Sequence, residues 1–219
     1  MRWVMMICLL LPGCFDLPAA FSDPSRPADL PSLSEVVLFG VRPLTALDPE
    51  RYPEPGRPCV RAYLDAVSPG SRLIINAGPA DRSGALQARK RNMLAQMLTI
   101  LGEDVRQEAE LFSNAMPLLL EWEGLSEGPV DEANFAEMWL NKRPNSTIAP
   151  FIYLFKAHRL RAGYEAARAG HEKGLWPILA KRYREALHQA NASPHPLIVC
   201  IAADLDAQPF VYLDGQGRP

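Results

Sequence analysis

The chain has 219 residues, 48% of them hydrophobic, with a formal net charge of −2. That is enough apolar material for one buried core, and the near-neutral balance excludes the global positive field of a nucleic-acid binder. The four cysteines and four histidines show neither Cys-x-x-Cys nor His-x-x-x-His spacing, so no metal site is expected and nothing calls for a cofactor.

Residues 1–13 read as an export signal. Arg2 supplies the positive start, and residues 3–11 form an apolar run too short to span a membrane as a helix. The run ends in Leu11-Pro12-Gly13-Cys14, which resembles the Leu-x-Gly-Cys lipobox of bacterial lipoproteins. The resemblance implies cleavage before Cys14, lipidation of its thiol, and a place in the bacterial cell envelope with the lipid as membrane anchor. Cleavage near Ala19 or Ala20, and an uncleaved anchor, are the alternatives.

Residues 14–58 are dense in proline and read as a tether or arm. Within them, residues 36–41 are an apolar run that fits a short strand or a ribbon laid on the domain. With Cys8 assigned to the signal and Cys14 to lipid, Cys59 and Cys200 remain. In an oxidising compartment they form a candidate disulfide, the alternative being two unrelated buried thiols.

Residues 59–219 are expected to form a mainly α domain of five or six helices with a few short strands. Residues 61–67 fit one or two helical turns, and residues 72–78 a strand. A helix over 83–101 places Leu86, Met93, Leu94, Met97, Leu98 and Leu101 at helical spacing, behind the basic triplet Arg89-Lys90-Arg91. A core-facing role with a solvated charged turn is favoured there over a membrane-surface helix. Gly102 ends it, and Asp104 opens another helix to about Asn114. Glu121-Trp122-Glu123-Gly124 and a loop over 126–130 lead on.

Next comes the stretch around which the chain is organised. A helix is expected from Asp131, with Phe135, Met138 and Trp139 on one face, stopped by Pro144. Asn145-Ser146 is turn and cap chemistry. A second helix over 147–169 is apolar nearly all round in its first half, which demands cover on several sides; Gly170 is its expected C-cap. Trp176-Pro177 opens a helix to about Ala190, residues 197–205 are favoured as helix, and residues 210–213 as a terminal strand.

The pattern Phe135-x-x-x-Trp139-Leu140-x-x-Arg143-Pro144-Asn145-Ser146-x-x-Ala149 resembles the junction between tetratricopeptide repeats. Tyr183-x-x-Ala186-Leu187 followed by Asn191-Ala192-Ser193-Pro194 is a weaker echo, about fifty residues on rather than thirty-four. The resemblance implies a helical-hairpin domain that offers a groove to a protein or peptide. The C-terminal half is also similar to bacterial envelope proteins with no activity attached to them.

Charge is uneven. Residues 101–137 hold ten acidic side chains and one Arg, and residues 151–190 hold eight basic and three acidic ones. Mutual neutralisation across a shared interface is favoured over a basic docking patch, because sequential helices pack. Glu121 and Glu123 flank Trp122 as paired acids or, more plainly, as a solvated pair. His158 fits a general base or, more plainly, a histidine hydrogen-bonded between helices to an acid from 121–137. Arg159, Arg161 and Arg168 either line a groove for an anionic peptide or meet Glu121, Glu123 and Glu132 within the fold. The leading expectation is a non-catalytic binding or scaffolding module with a groove around Glu121, Glu123, His158, Arg159 and Arg161. The alternative is a hydrolase centred on Glu121, Glu123 and His158.

Overall fold

A helix that is apolar on every side must lie at the middle of a bundle, and the helix Ala149–Ala169 does. The computed structural model describes residues 32–39, 47–52, 54, 56–67, 82–117 and 125–208. Seven α-helices lie among them: α1 Gly56–Ala66, α2 Arg82–Leu101, α3 Arg106–Ala115, α4 Glu127–Lys142, α5 Ala149–Ala169, α6 Trp176–Asn191 and α7 Pro196–Ala207. The protein is therefore mainly helical. Among the described residues no helix is long and apolar enough to cross a membrane.

Phe151, Ile152, Leu154, Phe155, Ala157 and Leu160 of α5 are all buried. α4 and α6 cover the two flanks of α5, and α2 and α7 add to the cover. Glu132 pairs with Arg159 and Glu137 with Lys156, so α4 and α5 run antiparallel. Trp176 of α6 donates to the Ala167 carbonyl near the end of α5, so α6 turns back again and runs parallel to α4. Phe112 of α3 joins the layers: its ring meets Trp139 of α4 edge-on at 5.2 Å and Phe155 of α5 edge-on at 6.3 Å.

Several boundaries differ from the expectations. α4 starts at Glu127, not Asp131, because Pro129 sits in the first turn, where a missing N–H costs little. α1 starts at Gly56 for the same reason, with Pro58 in its first turn. Gly170 is the C-cap of α5 as expected, at φ −78°, and the left-handed position falls one residue later. His171 takes that position at φ 58°, with Glu172 N–H bonded to the Ala167 carbonyl (2.8 Å) and His171 N–H to that of Arg168 (3.2 Å).

The apolar run at 36–41 is not a strand where it is described. Glu35–Phe39 is one π-helical turn. Helical spacing lets Leu33, Val36 and Val37 face the core together, whereas a strand would send Val36 and Val37 to opposite faces. This part of the proline-rich arm is packed on the domain. No strand occurs among the described residues, and the runs at 72–78 and 210–213 lie outside them.

α1 and α7 are joined by Cys59–Cys200, with Cα atoms 5.4 Å apart across 141 residues of sequence. Asp204, one turn beyond Cys200, accepts from the Ser34 N–H (2.9 Å) and hydroxyl (2.8 Å), pinning the arm to the same helix.

Close approach of α4 and α5 depends on Gly163. A Cβ there would lie 2.8 Å from Cγ2 of Val130, a stiff β-branched side chain. Gly163→Ala should lower the unfolding free energy by about 1–3 kcal/mol in urea titration, the usual cost of overpacking. Adding Val130→Ala should recover most of that loss; additive losses would show that the contact is not the cause.

Candidate functional site

Glu132 is fully buried on α4. Arg89 of α2 grips it with both terminal nitrogens, Nη1 to Oε1 at 2.9 Å and Nη2 to Oε2 at 2.8 Å. Arg159 of α5, itself 1% exposed, adds Nη1 to Oε2 at 3.3 Å. Arg159 also donates from Nε and Nη2 to Nδ1 of His158, at 3.2 and 2.9 Å. Nδ1 is therefore an acceptor, which puts the ring proton on Nε2 of a neutral imidazole. Burial, then the positive charges of Arg159, Arg161 and Arg89, hold the His158 pKa well below its usual value. Burial also pulls Arg159 down to about 10, against the opposing pull of Glu132, so it stays charged near neutrality.

Arg161 points elsewhere. It donates to the carbonyls of Leu205 and Gln208, the latter at 2.9 Å, so it closes the C-terminal end of α7, where orphan carbonyls attract a cation. His158, Arg159 and Arg161 are thus buried fittings and do not line an open groove. Nδ1 of His158 meets Arg159. Glu121, Glu123 and Cys14 lie outside the described residues. Arg168 stacks on Trp176, its guanidinium carbon 4.0 Å from the ring centre.

Two further carboxylates hold the bundle. Glu108 of α3 accepts from Trp139 Nε1 (3.2 Å), Ser146 Oγ (2.7 Å), Thr147 N (2.9 Å) and Thr147 Oγ1 (2.8 Å). Asn145-Ser146 was expected to cap α5 locally; the turn is instead tied to α3. Burial raises the Glu108 pKa, but the hydrogen bonds from Ser146, Thr147 and Trp139 outweigh it and the net shift is downward. Glu137 accepts from Lys156 of α5 (3.0 Å) and Arg182 of α6 (2.9 Å), and here too those partners outweigh burial. The acidic and basic stretches do neutralise one another across packed helices.

Among the described residues, a surface recess of about 480 Å³ lies between the parallel helices α4 and α6, lined by Asn134, Glu137, Met138, Asn141, Lys142 and Arg182. Met138 is 41% exposed, so it does not share the buried face of Trp139 as expected. The spacing of 134, 138, 141 and 142 marks one helical stripe, a signal present in the sequence; that Arg182 joins it was not legible there. Arg182 bonds to Asn134 Oδ1 at 2.7 Å as well as to Glu137. Among the described residues no His, Cys, Asp and Glu cluster could hold a metal ion. No protein-family model, curated protein or solved structure matches this chain.

Glu132→Ala would strand two buried or half-buried guanidiniums. It should cost about 3–5 kcal/mol by denaturant titration, far beyond a surface substitution. The pH response follows from His158. Its folded pKa lies below the unfolded value of about 6.5, so the unfolded chain binds the extra proton and stability falls as pH drops below that value. The expected slope approaches 1.4 kcal/mol per pH unit. His158→Gln should flatten it in a urea–pH series.

Proposed function

We propose that the chain is a non-catalytic binding module of the bacterial envelope that presents the α4–α6 recess to a protein or peptide. The observation that carries this is the chemistry of the recess. Asn134 and Asn141 offer amides that both donate and accept, Met138 offers a pliable apolar contact, and Lys142 and Arg182 offer charge. Helices α4, α5 and α6 run back and forth, and the resemblance of the Phe135–Ala149 pattern to a tetratricopeptide-repeat junction supports reading the first and third as the walls of a groove. In this reading the groove belongs to α4 and α6, with the Glu137–Arg182 ion pair as the tie between them.

Envelope location is supported by the Leu11-Pro12-Gly13-Cys14 sequence and by the Cys59–Cys200 bond, which persists in oxidising compartments. The hydrolase alternative loses its footing at His158, which is 4% exposed and spends Nδ1 on Arg159. A base must reach the proton it takes.

The test is site-specific photocrosslinking in the native host. A p-benzoylphenylalanine at position 138 should yield a discrete protein adduct, and Asn141→Asp with Lys142→Glu should abolish it. The same probe at His188, exposed on another face of α6, should not yield that adduct. Equal labelling from 138 and 188 would overturn the groove as the binding site.

A further inference from the structure

Exposed apolar side chains are unevenly placed. Among the described residues Leu125 (53% exposed), Leu175 (38%) and Ile178 (55%) gather at one end of the bundle, where α4 and α6 begin and α5 finishes. The Ser126 hydroxyl reaches both carboxylate oxygens of Glu172, at 3.0 and 2.9 Å, and the Leu175 N–H bonds the Glu172 carbonyl at 2.9 Å, which ties these segments together. Trp176 stands beside them, half-buried, its indole N–H on the Ala167 carbonyl and Arg168 over its ring. Lys173 is exposed in the same loop. Aliphatic tips with an amphipathic Trp and basic side chains are the composition of a membrane–water interface.

A second observation concerns the arm. Val37 and Leu38 border a small cavity with Phe151 and Phe155, near the start of α5. Ser34 is bonded to Asp204, close to the end of α7 that Arg161 closes, far along α5. The arm therefore runs along the bundle with its earlier residues nearer the Leu125–Ile178 end. From the level of Arg161 to the end of α5 is only about 12 Å at the helical rise. The roughly 18 residues between Cys14 and Ser32 span up to about 60 Å when extended.

We propose that this end of the bundle rests on a lipid bilayer, with Leu125, Leu175 and Ile178 seated at headgroup level. The proposal rests on the envelope reading above and adds an orientation to it. The α4–α6 recess then lies along the side of a bundle standing on the membrane, open to a partner in the aqueous space.

The experiment uses the full-length chain purified without reductant and reconstituted in phosphatidylethanolamine–phosphatidylglycerol vesicles. An environment-sensitive NBD label is placed on Ile178→Cys or, as control, on Leu111→Cys of α3, each with Cys8→Ser. Nitroxide headgroup lipid should quench the label at 178 about threefold more than at 111, with a blue-shifted emission at 178 only. Intact mass should show a lipid on Cys14 and one NBD. Equal quenching at the two positions in a lipidated chain would overturn the orientation and leave the envelope reading standing. A blue shift at 178 that is insensitive to the nitroxide and fades on dilution would identify a second copy as the occupant and also overturn it. A Cys14 that carries NBD in place of lipid, on a chain that does not stay with the vesicles, would sink the envelope reading and the orientation together.

Discussion

The carboxylate of Glu132 is the constraint on which the arrangement depends. An ionised group with no exposure is tolerated only where its lost hydration is replaced by close, well-aligned donors. Arg89 supplies a two-pronged contact from α2 and Arg159 a third bond from α5. Three helices are thereby held in one register, since sliding any of them by a turn would part charges that nothing else could satisfy. The apolar surface of α5 drives the burial, but it is non-directional and would accept several neighbouring registers. The ion cluster selects among them.

The same logic recurs toward the surface in weaker form. Glu108 gathers a turn onto α3, and Glu137 links α4 to α5 and α6. Glu132 and Glu137 between them draw Lys156, Arg159 and Arg182 from the basic stretch and leave the flank of α4 with amides, a methionine and Lys142 facing solvent. Rigidity below and uncommitted polar groups above are what a recognition surface needs, because a groove whose lining is already ordered loses less entropy on binding.

The N-terminal side of the molecule has a parallel organisation along α7. Cys200 binds α1, and Asp204, one turn on, binds the arm. Arg161 closes the end of that helix from within α5. The arm is therefore fastened to the same unit that carries the recess. In the proposed orientation, whatever holds the arm at the membrane also fixes the direction in which the recess faces.

Much of the fold was legible in the sequence, for local reasons. Pro144 and Gly102 follow helical patterns and end them; the 3.6-residue spacing of Met93 and Met97, or of Leu179, Tyr183 and Leu187, marks a buried stripe; and the unbroken apolar run 148–155 requires a central position. Helix starts at Glu127 and Gly56 were missed because Pro129 and Pro58 read as breaks until their place in a first turn is known. The left-handed role of His171 was missed because glycine is the usual occupant. The burial of Arg159 was not legible, for a deeper reason. Composition shows that acidic and basic stretches exist, but whether Arg159 faces solvent or Glu132 depends on the rotation of α5 about its axis, set by contacts from α2, α4 and α7 at once. Sequence alone determined a mainly helical chain with a proline-rich N-terminal stretch. Tertiary structure alone decided which charges are spent inside, because pairing energies depend on distances between residues far apart in the chain, and hence which face of α4 is left open to solvent.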